Sequence, residues 1–249
     1  MTSETAGAEG TRGAARRRPP EQPLSRDRIV STALALVDRE GLASLSMRRL
    51  AATLGVDPMA IYYYLPNKAA LLDAIVEAVN LDLPVASFEM PPALHDLVMA
   101  AGRLLRSVLL RHPHALPLLA ARPIATPAAL KPADVMLGAL IRSGLTPAEG
   151  VAAVDVFSTF VTASVLREVQ YPRGPEHDPH VQLRHLRESL DETDSPNLIR
   201  AVTEGNLLDF EAEFEFGLRA LGRGFVEVVA AREAQQSQVD RRTGKEHQP

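Results

Sequence analysis

From Leu24 onward, apolar positions recur at three- and four-residue intervals, the period of a helix with one buried face. Ile29, Ala33, Leu36 and Val37 predict a first helix that stops at Gly41, where a residue tolerant of positive φ is wanted. Ser46 reads as the cap of a second helix with Met47, Leu50, Ala51 and Leu54 inside, and Gly55 allows a sharp turn after it. A third helix opens with Asp57 as cap and Pro58 in its first turn, where the missing N–H of proline costs nothing, and runs to about Tyr64. Asn67 starts a fourth helix that reaches Val79. Beyond Pro84 the same period returns over 93–111, 128–142, 147–170 and 207–230. Strand signals are absent, aromatic residues make up only 4%, and the chain reads as all-α.

The breaks in this pattern divide the 249 residues. A disordered arm over 1–23 is rich in Gly, Ala, Thr, Pro and Arg. A head with a helix-turn-helix over 24–82 follows, then a larger helical body over 83–234 and a flexible polar tail over 235–249. Within the body, residues 171–196 carry Pro172, Gly174, Pro175, Pro179 and Pro196 among many charges, which predicts a mobile loop with a short helix near Val181 to Leu190.

Charge sharpens the division. The whole chain carries a net charge of -4, yet basic residues outnumber acidic ones between 11 and 68, as suits a DNA-binding head on an acidic body. There is no cysteine, which excludes disulfides, thiolate metal sites and thiol nucleophiles and fits a reducing cytoplasm. No uninterrupted apolar run is long enough to cross a membrane, and the Arg-rich N-terminus does not read as a secretion signal. A cytoplasmic chain without a membrane partner is expected.

A helix, a glycine turn and a short second helix serve a structural corner as readily as a DNA reader. The residue content favours DNA. Tyr62, Tyr63 and Tyr64, three of the four tyrosines, are consecutive and span about 200° of helix circumference, so they cannot all face one core. Their hydroxyls suit phosphate oxygens; Arg48 or Arg49 can reach a phosphate or a guanine edge, and Lys68 opens the next helix beside the backbone. Met59 and Ala60 at the start of the reading helix offer apolar contact suited to thymine methyl groups. Arg16, Arg17 and Arg18 fit either an arm along the minor groove or a solubilising tail.

The stretch from Leu24 to about Val79 resembles the TetR family of repressors. The resemblance rests on Thr32-Ala33-Leu34, Gly41, Ser46-Met47-Arg48-Arg49-Leu50-Ala51, Leu54-Gly55-Val56, Ile61-Tyr62-Tyr63-Tyr64 and Asn67-Lys68-Ala69-Ala70-Leu71-Leu72. It implies a three-helix DNA-binding head, a helical ligand-binding body and a homodimer formed by a four-helix bundle of the last long helices. Met47, Arg48, Pro58, Met59, Ala60, Tyr62, Tyr63, Tyr64 and Lys68 stand where the family touches DNA. In the body, Leu109-Leu110-Arg111-His112, Arg122-Pro123, Val165-Leu166 and Phe216-Gly217-Leu218 are similar to segments of the tetracycline-repressor branch. The metal-contacting histidine and glutamate of that branch are replaced by Leu118 and Arg167, so a magnesium–tetracycline chelate is not expected.

The ligand-lining set implied by the analogy is Leu105, Leu116, Leu118, Arg122, Val154, Phe157, Phe160, Val161, Ser164 and Arg167. It suits a hydrophobic or weakly anionic small molecule, with Arg122 and Arg167 at its polar end. For each apolar member ordinary core packing is the competing reading, and for the two arginines a surface salt bridge. His112 and His114 flank Pro113, a spacing that cannot place both on one helix face, so no metal site is expected there. No nucleophile–base pair, paired carboxylates or phosphate-binding glycine loop is present, which argues against an enzyme, and no cofactor is implied. The expectation is a ligand-released repressor acting as a homodimer on a near-palindromic operator; the alternatives are a dimeric regulator without an inducer and, more remotely, an enzyme.

Overall fold

A computed structural model describes residues 23–122, 126–172, 174–204 and 209–245. The arm expected over 1–23, with Arg16, Arg17 and Arg18, lies outside them except for Pro23, as do the last four residues of the expected tail. All regular elements among the described residues are helices.

Four helices make the head: α1 (Arg26–Glu40), α2 (Met47–Leu54), α3 (Pro58–Tyr64) and α4 (Lys68–Leu81). Each opens at a side-chain cap. Ser25, Ser46, Asp57 and Asn67 accept from the backbone N–H of Arg28, Arg49, Met59 and Ala70, satisfying donors that a helix start leaves unpaired. Gly55, at φ 73° and ψ 30°, ends α2 in the left-handed region, and Val56 N–H returns to the carbonyl of Ala51. Ile29, Leu36, Leu50, Ile61, Leu71 and Ile75 are fully buried where the four helices meet.

The body adds α5 (Leu94–Arg111), α6 (Leu116–Ala121), α7 (Pro127–Arg142), α8 (Pro147–Gln170), α9 (Pro179–Ser189), α10 (Pro196–Glu204) and α11 (Phe210–Lys245). α11 packs along α5 and α8, while α7 joins α4 to α8. The close approach of α11 depends on small residues. A Cβ at Gly102 would come within 2.5 Å of Leu218 Cδ1, and one at Gly217 within 2.4 Å of Phe160 Cζ. Ion pairs fasten the same three helices: Arg103 holds Glu215 through two 2.7 Å bonds, and Arg106 pairs with Glu168 at 2.7 Å while lying over the Phe214 ring.

Three features depart from the sequence reading. α6 and α10 were not expected, because six and nine residues carry too few apolar repeats to show a period. α11 continues to Lys245, through most of the residues assigned to a flexible tail; its polar composition past Glu233 hides a helix that needs no buried face. α8 is long and apolar enough by length and composition to cross a membrane, although Thr and Ser interrupt its apolar run. Here one face is packed against α5, α6, α7 and α11.

Candidate DNA-reading head and ligand cavity

On α3 the side chains expected to read DNA face outward. Met59 is 71% and Tyr63 86% exposed, with Tyr62 exposed and Pro58 and Ala60 partly so. Tyr63 and Tyr64 meet edge to face with ring centroids 5.2 Å apart. The three tyrosines are not equivalent, because Tyr64 donates its hydroxyl to the carbonyl of Leu24 at 2.8 Å and so ties α3 to the start of α1. Arg48 is exposed on α2 and makes no hydrogen bond or ion pair among the described residues. Arg49 is instead engaged by Glu40, which also takes a bond from Arg39. The Arg39 guanidinium, with Arg49 beside it, holds the Glu40 carboxyl below its ordinary range. Lys68 donates to the carbonyl of Leu45 at 2.8 Å, pinning the segment before α2 onto the start of α4.

Met47 is a correction. It is buried in the head core, on the inner face that the hydrophobic period had already given it, and the family position does not make it available to DNA.

Between head and body lies an apolar cavity of about 380 Å³. α4 contributes Val76, Val79 and Asn80; α5 contributes Ala101, Leu104 and Leu105; α7 contributes Met136; and α8 contributes Val154, Phe157, Ser158, Thr162 and Leu166. Phe88 and Met90 of the α4–α5 connection complete the wall. No charged side chain lines it among the described residues.

The expected ligand set is only partly brought together. Leu105, Val154 and Phe157 line the cavity. Leu116, Leu118 and Val161 are buried in the cores and are not part of its wall, which is the competing reading named for them. Phe160, Ser164 and Arg167 face a separate depression with Phe210, Glu213 and Phe214. The pairing of Arg122 with Arg167 at one end of a ligand is corrected. Arg122 is bonded to Asp73 on α4, while Arg167 is paired with Glu213 and lies 5.1 Å above the Phe210 ring, so each guanidinium is engaged elsewhere. Sequence reasoning missed the α4 wall and the hydroxyls of Ser158 and Thr162. These two interrupt the apolar stripe of α8 at a spacing of four, a signal that was present in the sequence.

The head and the body are joined by His112, the one buried polar residue of the described core. It ends α5 with Nδ1 2.8 Å from Asp38 of α1 and Nε2 3.2 Å from Asp82 at the end of α4. His114 Nδ1 lies 2.9 Å from the carbonyl of Asp38, so both histidines serve the junction between head and body.

A family model of bacterial regulatory proteins of the tetR family matches residues 29–75, and one of the tetracyclin repressor-like C-terminal domain matches residues 91–229. The chain belongs to the TetR family of transcription regulators. An HTH-type transcriptional regulator of Saccharopolyspora erythraea is 35% identical over 231 residues, covering 89% of this chain and 95% of the relative. The class D tetracycline repressor protein of Escherichia coli is 26% identical over 212 residues, covering 80% and 94%. Among solved structures, the TetR family protein ActR of Streptomyces coelicolor in complex with actinorhodin superposes with a TM-score of 0.76 at 31% identity, covering 83% of this chain and 97% of ActR. These relatives are regulators and not enzymes, and α2 and α3 form the helix-turn-helix of the family's DNA-binding domain.

Proposed function

We propose that this TetR-family chain is a repressor that binds a near-palindromic operator as a homodimer and is released when a hydrophobic small molecule fills the cavity. The observation that carries the reading is the position of α4. Its first residue holds the segment before α2 through Lys68, and its later turns form a cavity wall through Val76, Val79 and Asn80. A ligand that favours one placement of α4 therefore favours one placement of the reading heads, and operator and ligand affinities become linked. The cavity also favours this reading over a regulator without an inducer, since about 380 Å³ of space among apolar walls is the size and character of a ligand site. ActR, solved with actinorhodin, adds the precedent of a bound small molecule.

Exposed apolar residues support the dimer. Val151 and Val156 on α8, with Phe216, Val226 and Val228 on α11, leave a surface that a second copy of the chain would cover. Phe214 and Leu218, on the other side of α11, are 3% and 0% exposed and pack inside the single chain.

For DNA, Arg48, Met59, Ala60 and Tyr63 read or touch bases, Pro58 and Tyr62 lie against the duplex, and Arg49, Tyr64 and Lys68 support the reading surface while remaining near phosphates. The reading places the chain in the cytoplasm with the DNA it controls. The inducer is hydrophobic; among the described residues of the cavity wall an anionic group finds no cation, and a magnesium chelate finds no carboxylate or imidazole.

Selection of binding sites from random DNA tests the reading. A palindromic motif is expected, and Arg48→Ala is expected to lower its information content while weakening binding by about 1–3 kcal/mol. Recovery of no motif would overturn operator binding, and an unchanged motif with Arg48→Ala would remove that residue from base reading.

A further inference from the structure

The cavity is apolar except for Asn80 and three hydroxyls of α8, Ser158, Thr159 and Thr162; Thr159 is exposed, while Ser158 and Thr162 are half-buried. In other helices of this chain several hydroxyls are spent on the backbone one turn earlier: Thr32, Thr53 and Thr203 each donate to the carbonyl four residues before them. Ser158 and Thr162 line the cavity and make no hydrogen bond among the described residues. They stand one turn apart on α8 in the stripe Val154, Ser158, Thr162 and Leu166, all of which line the cavity. On α4, Asn80 also lines it; one N–H of its amide is held by the carbonyl of Val76 at 2.8 Å, which leaves the carboxamide oxygen as an acceptor.

We infer that Ser158 and Thr162 form a hydroxyl pair that selects an uncharged, mostly apolar ligand bearing a carbonyl or phenol oxygen, with Asn80 as the polar contact on α4. The inference rests on the cavity being the inducer site and adds which chemistry it accepts. Two rotatable O–H donors at one place satisfy a neutral oxygen well. A carboxylate would have to leave water for a wall without a cation, and such a transfer is strongly unfavourable unless the charge is paired. Placing the third polar group on α4 also means that a ligand spanning both walls touches the helix that seats the reading head.

The test uses the purified full chain and N-phenyl-1-naphthylamine, a neutral fluorophore that brightens in apolar surroundings. Three compounds of similar shape then displace it: diphenylmethane; benzophenone, which adds one carbonyl oxygen; and 4-benzoylbenzoate, which adds a carboxylate as well. The wild type is expected to bind benzophenone about five- to tenfold more tightly than diphenylmethane, the gain of one net hydrogen bond, and 4-benzoylbenzoate more weakly than benzophenone. In Ser158→Ala/Thr162→Val the preference for benzophenone is expected to fall to about twofold or less, with the fluorophore still bound. Equal affinity for ketone and hydrocarbon in the wild type, a preference that survives the double substitution, or tightest binding of the carboxylate overturns the hydroxyl assignment and leaves the cavity as a ligand site. Failure of the fluorophore and all three compounds to bind overturns the inducer-site reading together with it.

Discussion

All four head helices start on a side-chain cap, at Ser25, Ser46, Asp57 and Asn67, whereas capping in the body is uneven: Thr126, Thr146 and Asp209 cap α7, α8 and α11, and α5 and α6 start with none. In the head, caps between residues two or three apart open every helix, and bonds from Tyr64 to Leu24 and from Lys68 to Leu45 hold the short helices around one core. The body is shaped by long-range packing and by ion pairs that join α5 to α8 and α11, and together with α4 it walls the cavity. The contrast separates a reader whose geometry is locally set from a sensor whose packing has room to change. Interiors are otherwise close-packed, so an apolar void forgoes contacts that a ligand can restore.

The largest expected effect distinguishes two phenylalanines of α11. Phe216 is 73% exposed and Phe214 3%. Phe216→Asp is expected to give a folded monomer by light scattering and circular dichroism, with operator affinity down about 100-fold because the two heads no longer bind together. Phe214→Asp is expected to unfold the body, since it puts a carboxylate in the apolar core and removes the ring stacked on Phe160. A folded monomer from Phe214→Asp and an unaltered dimer from Phe216→Asp would reverse the assignment of faces.

Next in size is the junction. His112→Ala removes a ring bonded to both Asp38 and Asp82 and leaves Asp38, whose Oδ1 is already buried without a partner, short of a second bond. The expected loss is about 2 kcal/mol in urea denaturation. A loss below about 0.5 kcal/mol would mean that head and body do not depend on this contact.

The caps themselves provide a smaller, paired test. Ser46→Ala is expected to destabilise the chain by about 1 kcal/mol. Ala93→Ser, which supplies α5 with the cap it lacks at a residue already extended (φ -83°, ψ 130°), is expected to stabilise it by about 0.5–1 kcal/mol. If both substitutions are neutral in thermal denaturation, local capping is not what distinguishes the two regions.

The same contrast explains what the sequence disclosed. In the head, cap and apolar period agree at every helix and a glycine ends α1 and α2, so Ser46, Gly55, Asp57 and Asn67 could be read directly. In the body an apolar residue can be core, cavity wall or protomer interface, and period alone does not separate these. Leu116 and Leu105 look alike in sequence, yet one is core and the other cavity. Phe214 and Phe216 are two residues apart and differ only in which side of α11 they occupy. For Arg122 and Arg167 a salt bridge was one of two readings, but the partners were not legible, because Asp73 and Glu213 are brought to them only by the fold.

The smallest expected effect concerns acid stability of the α5–α11 contact. Hydrogen bonds from Arg103 hold the Glu215 carboxyl below its ordinary range, against a weaker opposing push from burial. A carboxyl whose pKa is lower in the folded chain than in the unfolded one stabilises the fold above the unfolded value, near 4.3 for glutamate at about room temperature. That contribution is lost as pH falls through the lower, folded value. Glu215→Gln should therefore be less stable than the wild type at neutral pH. The deficit is expected to stay below about 0.5 kcal/mol, because the Arg103 side chain is 57% exposed and water screens the pair. As pH drops below the glutamate range, wild-type Glu215 becomes a neutral acid close in shape to glutamine, and the urea curves of the two proteins should converge. A deficit that persists unchanged in acid would show that the substitution acts through packing against α5 and not through the charge.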